Sequence, residues 1–359
     1  MLCIVAFFVV LVASAVSAKY RKLLGRAWGC AWRRVTLRPC DASFGDDVKS
    51  SMLAPLALRA PRLVRPASVT IDVAAWVTVV SLVVSLFIVA TSALNLAVYG
   101  TCDKQNAEAC SLSAQACGVG SETPEFWESI GEGDVVGAFG NEFASVADTI
   151  QAIPSRLKTW DAAEYAPETA TYFGGYREGL PTAIEVIDPG CKYCAQLFRN
   201  IEESGFAETH NLTYVAYPIQ TWDVPKFANS PLVARYLTAV QLMEQDAATT
   251  GSTPDWHILE QIFTGERPDG TSWQVWLNET ATAAEAEAQL QTWLAEAGYD
   301  AEQVAEAAEL SASDEVAALM DEGRQVVEDD IRTVAIPAFI ADGRLHAGVV
   351  EVDALAGMD

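Results

Sequence analysis

The sequence is poor in positive charge. Its 359 residues contain 23 Lys plus Arg against 48 Asp plus Glu, and only seven of the basic residues are lysine. The first hundred residues hold 11 basic and 4 acidic side chains, whereas the remaining 259 hold 12 basic and 44 acidic ones. A part of the chain this acidic repels phosphate groups, which argues against nucleic acid and anionic lipid headgroups as its partners. The scarcity of lysine indicates a halophilic surface, on which salt screens the self-repulsion; the alternative is an ordinary acidic exported domain.

Metal-ligating residues are also sparse. The three histidines, His210, His257 and His346, are scattered, and the chain has a single CxxC motif. A zinc site needs two further ligands beside such a pair, and a c-type haem attachment needs a His where Ala195 stands. The sequence therefore predicts neither a metal nor a cofactor.

Apolar residues, by contrast, make up 51% of the chain, and two uncharged runs concentrate them. Leu2–Ala18 has 17 residues, and Val73–Tyr99 has 27, enough to cross about 30 Å of hydrocarbon. We predict a transmembrane helix or signal anchor at 1–18 and a transmembrane helix at 73–99. No basic residue precedes the first run and a basic stretch follows it, which favours a retained anchor over a cleaved signal peptide.

The segment between the two runs sets the predicted orientation. Residues 19–72 hold 11 Lys plus Arg against four Asp and no Glu, so the positive-inside rule places this loop in the cytoplasm. The chain after Tyr99 is then extracytoplasmic at the cell membrane. Cleavage at the small residues before Lys19 would reverse this orientation.

The predicted topology also indicates which of the remaining cysteines are free and which form disulfides. Cys30 and Cys40 would face a reducing compartment and are expected to be free thiols. Cys102, Cys110 and Cys117 would lie in an oxidising exterior, where two of them are expected to pair and one is left for another partner. The sequence does not say which.

The chain after the second run divides into two parts. Residues 100–167 indicate an extracytoplasmic linker followed by a helical stalk, and residues 168–359 form the informative domain. In that domain the run TAIEVID predicts a buried strand, KYCAQLFRNIEESGF a helix and NLTYVAYPIQ a second strand. A helical block at about 225–332 is followed by a strand–turn–strand with Asp342-Gly343 at its turn. This order predicts an α/β fold with a helical insertion.

The CxxC pair, Cys191 and Cys194, opens the predicted helix. The first cysteine lies where unpaired backbone N–H groups and the helix dipole stabilise an anion, and Lys192 adds positive charge. Cys191 is therefore expected to be the attacking thiolate and Cys194 the resolving thiol. An inert structural disulfide is the alternative.

Two stretches, AIEVIDPGCKYCAQLF and, about 140 residues later, VAIPAFIADGRLHAGVV, resemble the thioredoxin superfamily in its DsbA-like branch. The resemblance covers about 168–359 and implies a thioredoxin fold with an inserted helical domain, here preceded by two transmembrane helices. It implies that Pro337 is a cis-proline packed against the CxxC pair. It also implies that the Ile336 backbone binds an extended substrate segment as an added strand.

The same resemblance implies roles for three further residues. Glu185, six residues before the first cysteine, would relay a proton to or from Cys194. Lys192 and Tyr193, between the cysteines, would tune the redox poise. This dipeptide matches neither thioredoxin nor the strongly oxidising DsbA proteins, so the direction of electron flow stays open.

The sequence thus predicts a membrane-anchored thiol:disulfide oxidoreductase that acts on exported cysteine-containing proteins and turns over with a membrane redox partner. The alternatives are a reductase or isomerase with the same residues, and a noncatalytic peptide-binding module whose disulfide is structural. The enzyme hypothesis requires an exposed sulfur at Cys191, close to Pro337.

Overall fold

This computed structural model describes residues 53–54, 57–58, 60–104, 115–119, 126–221, 224–245 and 251–358. Within helices, residues 71, 72, 74, 75, 78, 79, 82, 127 and 135 are described by their backbone alone. The chain divides into two compact units, Met1–Ala90 and Thr91–Asp359. The predicted anchor at 1–18 and most of the predicted basic loop at 19–72 lie outside the described residues.

A 36-residue helix, α1 (Val64–Tyr99), contains the second apolar run and follows a 3-10 turn at Pro61–Leu63. Several of its apolar side chains are exposed, among them Trp76 and Leu86. Counted over the residues described with their side chains, no helix is both long enough and apolar enough to cross a membrane. The predicted span at 73–99 is therefore not confirmed, although the segment is helical.

The segment predicted to be a helical stalk contains two helices, α2 (Phe126–Gly131) and α3 (Val135–Leu157). Asp134 caps the second helix by accepting a hydrogen bond from the Gly137 N–H. The last turns of α1 pack on α3: the Thr149 hydroxyl donates to Asn95 at 2.9 Å, and Ala152 joins Val98 and Tyr99 in a small apolar cluster.

The centre of the larger unit is a mixed four-stranded sheet. Its strands, in spatial order, are β3 (Asn211–Ala216), β2 (Thr182–Ile187), β7 (Ala338–Ala341) and β8 (Arg344–Ala347). β2 and β3 are parallel, joined through α4 (Lys192–Ser204) and the short α5 (Phe206–Thr209), whereas β7 is antiparallel to both β2 and β8. Five of the six β2 side chains are buried, as the apolar run predicted.

The segment predicted to be a helical insertion is mostly helical. After two short strands, β4 (Gln220–Thr221) and β5 (Val224–Pro225), it comprises α6 (Ser230–Glu244), α7 (Pro254–Thr264), α8 (Trp273–Glu279), α9 (Ala283–Glu296), α10 (Ala301–Ser311) and α11 (Asp314–Gln325), and it ends in a π-helical turn at Val326–Ile331. Trp256 and Trp293 are almost completely buried and belong to the core that this block shares with the sheet.

The chain returns to the sheet through β6 (Ala335–Ile336) and β7, and it ends in α12 (Val352–Leu355). Asp342 and Gly343 both have positive φ, 49° and 70°, which is the conformation of the predicted two-residue hairpin turn. A strand from much earlier in the sequence, β1 (Cys117–Gly118), pairs antiparallel with β6. The strand order, the β2–α4–β3 connection and the C-terminal hairpin give the expected thioredoxin-like sheet with its helical insertion.

Candidate functional site

The CxxC pair begins α4, directly after the end of β2. Cys191 is the N-cap residue of this helix, with extended backbone angles (φ −79°, ψ 119°), and its carbonyl accepts the Cys194 N–H at 3.0 Å. Cys194 lies within the first helical turn and is a free, buried thiol. The first cysteine therefore lies at the positive end of the helix dipole, as the sequence predicted.

Cys191 is bonded to Cys117, not to Cys194. The two residues are 74 positions apart, and their sulfurs form a disulfide with a Cα–Cα distance of 6.4 Å. Cys191 is 0% exposed and Cys117 1%. The expectation of an exposed thiolate at position 191 is therefore wrong: the sulfur is buried and bonded to Cys117, so the exposure that the enzyme hypothesis requires is not met in this structure. One of the three linker cysteines does have a partner elsewhere, as expected; Cys102 is also disulfide-bonded.

Pro337 lies beside this disulfide. The Ile336–Pro337 peptide bond is cis, the isomer that the resemblance implied. The Ile336 carbonyl oxygen lies 3.6 Å from the sulfur of Cys191. In the antiparallel ladder Cys117 is paired with Ile336, so the backbone position expected to bind an added strand does bind one, supplied by the chain itself. Cys191 therefore lies close to Pro337, as the enzyme hypothesis requires.

The Cys194 thiol is held in its protonated form. Burial raises its pKa well above the ordinary value, the negative charge of Glu185 raises it further, and the charge of Asp188 acts in the same direction. One contact opposes this shift, because the Asp188 N–H donates to the Cys194 sulfur at 3.4 Å and stabilises a thiolate there. Removal of the proton therefore needs an acceptor nearby.

Glu185 occupies the middle of the central strand, between Tyr214 of β3 and Phe339 of β7. It is 1% exposed, and its Oε1 has no hydrogen-bond partner among the described residues. Burial raises the pKa of this carboxyl well above its usual range. The predicted proton relay is thus a buried acid whose charge reaches Cys194.

Asp188 is a buried acid that the sequence analysis missed. Its carboxylate accepts hydrogen bonds from the Gly190 N–H and the Ile219 N–H, both at 2.7 Å, and from the Ser230 hydroxyl. Burial raises the pKa of Asp188 to about 6, even though these donors lower it. The available signal was a carboxylate at the end of a buried strand, directly before Pro189-Gly190. Asp188 ties the CxxC loop (residues 188–191) to Ile219, directly before β4, and to α6.

Helix α8 holds the CxxC loop from the other side, and this too was missed. The Gln274 side-chain amide donates to the carbonyls of Pro189 at 2.8 Å and Cys191 at 3.2 Å, and Asn278 donates to the Gly190 carbonyl at 2.9 Å. At Gly190 a Cβ atom would collide with the ring of Phe227, so no larger residue fits without displacing it. The helical block thus fixes the loop conformation, and sequence spacing carries no sign of these contacts.

The two residues between the cysteines lie at the surface. Lys192 is exposed, and its ammonium lies 4.8 Å from the centre of the half-buried Tyr193 ring. The helical insertion at 225–332 carries four tryptophans. Trp256 and Trp293 are core residues, whereas Trp273 and Trp276 are partly buried and pack edge to face, 5.5 Å apart.

Within the described part of the chain, no group of three or more His, Cys, Asp or Glu side chains is arranged to hold a metal ion. Cys30, Cys40 and Cys110 lie outside that part, so the predictions made for them stay predictions.

No family model matches the chain, and no curated protein matches it. Solved structures do resemble it. A thioredoxin-like oxidoreductase from Silicibacter pomeroyi DSS-3 is 19% identical, with a TM-score of 0.35, and the match covers 52% of this chain and 88% of that one. The thiol-disulfide exchange protein alpha-DsbA2 from Wolbachia pipientis is 16% identical (TM-score 0.36; 52% and 83%), and MdbA, a thiol-disulfide oxidoreductase from Corynebacterium diphtheriae, is 13% identical (TM-score 0.36; 51% and 91%). Because these identities and TM-scores are low, the fold assignment rests on the strand order and connections described above.

Proposed function

We propose that the domain at 168–359 is a protein thiol:disulfide oxidoreductase in which Cys191 exchanges disulfides and Cys194 resolves them. One observation carries the proposal. Cys191 is bonded to a cysteine on a strand that pairs with Ile336, while Cys194 remains a thiol one helical turn away. This is the arrangement expected of a mixed disulfide between an enzyme and an extended peptide.

The resolving step follows from the buried acids. Glu185 takes the Cys194 proton in molecules in which its carboxyl is ionised, and the Cys194 thiolate then attacks the Cys191 sulfur. A Cys191–Cys194 disulfide forms, the bond to the substrate cysteine breaks, and that cysteine leaves as a thiolate that takes up a proton. Burial favours the proton on Glu185 and on Cys194 alike, and the Asp188 N–H stabilises the transient thiolate.

The setting of the activity is proposed on sequence grounds. The two apolar runs and the basic segment between them support a membrane-anchored chain whose thioredoxin-like domain is extracytoplasmic. Exported proteins with cysteines would then be the substrates, and a membrane protein would restore the redox state. A membrane-impermeant maleimide applied to intact reduced cells tests this: labelling of Cys102 supports the orientation, and labelling of Cys30 instead contradicts it.

One observation favours a second candidate, a noncatalytic module whose disulfide is structural. Cys191 is 0% exposed and its partner Cys117 is 1% exposed, and a disulfide buried to this degree resists reduction. Under this candidate the Cys117–Cys191 bond survives dithiothreitol in the folded protein and opens only on unfolding.

The deciding experiment combines a redox titration with substrate trapping. The full chain is equilibrated in dithiothreitol or glutathione buffers, alkylated, and scored for Cys191. A potential near about −120 mV indicates an oxidase, one near about −270 mV a reductase, and no reduction under native conditions indicates the structural disulfide. In parallel, Cys117→Ser/Cys194→Ala, in which no internal cysteine can occupy Cys191, is expected to accumulate mixed disulfides with exported proteins. Adding Cys191→Ala to this variant should abolish the accumulation, and equal yields with and without it would contradict the assigned nucleophile.

A further inference from the structure

The strand that covers the site is held at several points by its backbone. In the segment Gln115–Val119, the Gln115 carbonyl accepts the Val349 N–H at 2.9 Å, and the Val119 N–H donates to the Val334 carbonyl at 2.9 Å. Between these two contacts lie the antiparallel partners of the ladder, Cys117 with Ile336 and Gly118 with Ala335. The segment therefore lies extended along the backbone before the cis-proline, anchored on both sides of its cysteine.

The side chains of this segment suit a narrow groove. Ala116 is 2% exposed, Cys117 is 1% exposed and Gly118 is buried, whereas the Gln115 side chain is exposed. Val119 is partly buried and packs against the core cluster that contains both Cys117 and Cys191. The positions next to the cysteine thus carry the smallest residues, and the buried Ala116 leaves little room for a larger side chain.

We infer that residues 115–119 are an internal substrate that occupies the peptide groove, and that the groove accepts extended peptides with small residues on either side of a cysteine. The inference rests on the proposed oxidoreductase function and deepens it. An external peptide could form the same backbone hydrogen bonds, since these involve only main-chain groups. The tethered segment excludes such a peptide until it is released.

Release needs no outside oxidant or reductant. The Cys194 thiol loses its proton and attacks the Cys191 sulfur, the Cys191–Cys194 bond forms, and the Cys117–Cys191 bond breaks. Cys117 leaves as a thiolate and takes up one proton. One disulfide and one thiol are present before and after, so the closed and open states interconvert by internal exchange, and external peptides react with the open one.

The first test maps the disulfides of the unmodified full chain. Trypsin cleaves after Lys192 and so separates the two cysteines of the CxxC motif. After acid quenching and alkylation, the closed state yields peptide 105–156 linked to peptide 178–192, and the open state yields 178–192 linked to 193–199. We expect the first product in the oxidised chain. Its absence over the whole range of glutathione buffers would overturn the inference.

The second test measures how fast the oxidised full chain forms a mixed disulfide with a blocked peptide of the chain's own sequence, Gln-Ala-Cys-Gly-Val. A tethered segment has an effective concentration in the millimolar range, so a peptide at about 0.1 mM competes poorly. Cys117→Ser should react at least ~10-fold faster than the unmodified chain. The control, Glu302→Gln, changes an exposed side chain on α10 outside the 115–119 segment and should leave the rate unchanged.

The outcomes separate the two proposals. If the unmodified chain and Cys117→Ser react at the same measurable rate, the internal substrate is refuted and the oxidoreductase function stands. If neither reacts while circular dichroism shows both folded, the function itself fails. In Cys117→Ser, the peptide carrying tryptophan in the position of Ala116 should react at least ~10-fold more slowly; equal rates would refute the small-residue specificity.

Discussion

The buried carboxyl of Glu185 yields a quantitative prediction about stability and pH. In the unfolded chain this group ionises at an ordinary glutamate pKa near ~4.3, whereas burial raises its pKa well above that in the folded state. Above about pH 5 the folded state therefore holds one proton more than the unfolded state at this position. Glu185 contributes stability that is fully present below the unfolded pKa and is lost as pH rises toward the folded pKa.

The magnitude follows from the single proton. The stability of the native chain falls by about 1.4 kcal/mol per pH unit through this group. In Glu185→Gln the side chain keeps its shape but cannot ionise, so this group no longer makes the free energy of unfolding depend on pH. The free energy of unfolding of the variant, relative to the native chain, should therefore rise with this slope from about pH 5 upward, and level off where Glu185 ionises in the folded state. The comparison cancels the contributions of Asp188 and Cys194, which both chains share.

Urea unfolding followed by circular dichroism, at half-unit steps between pH 5 and pH 7.5, measures this slope. The matched control is Glu203→Gln, which changes an exposed carboxylate on α4 and should show no such trend. A flat difference for Glu185→Gln would refute the reasoning, because it would mean that the carboxyl ionises equally in both states.

Three further predictions concern the CxxC loop. Asp188→Asn places an amide NH2 group opposite N–H and O–H groups that now donate hydrogen bonds to the carboxylate, and should cost about 1–3 kcal/mol in urea unfolding. Because the pKa of Asp188 is raised to about 6, the native chain loses stability as pH rises from about 4 to about 6. The destabilisation caused by the substitution should therefore be larger at pH 4 than at pH 7. Gly190→Ala collides with Phe227 and should cost about 1–3 kcal/mol by the same assay, whereas Gly131→Ala, with open space at its Cβ, should stay within about 0.5 kcal/mol. Gln274→Ala removes the hydrogen bonds to two loop carbonyls and should cost about 1–3 kcal/mol; no loss of stability would show that water replaces the amide.

Much of the fold was readable from local pattern. The β-branched run 182–187 predicted a buried strand, the Asp342-Gly343 pair predicted the hairpin turn, and the helical block was placed at about 225–332 against helices observed from Ser230 to Gln325. Each of these features depends on residues close together in the chain, which is why periodicity and turn chemistry were sufficient.

The side chains that hold the CxxC loop in place could not be predicted from local pattern. Asp188 accepts hydrogen bonds from residues 31 and 42 positions away, and Gln274 reaches the CxxC loop across 83 and 85 positions. Single polar side chains in helices and loops carry no periodic signal, so only the packed structure reveals which backbone groups they meet.

By itself, the sequence determined that two cysteines begin a helix after a buried strand, that an acid lies in that strand, and that an Ile-Pro pair precedes a hairpin. These are local features set by spacing and side-chain chemistry. Only the tertiary structure decided the partner of Cys191. Spacing favours the nearby Cys194, but the backbone of 115–119 pairs with β6 and brings Cys117 from 74 residues away onto the same sulfur. A contact between distant segments depends on how the whole chain packs, and no local pattern encodes it.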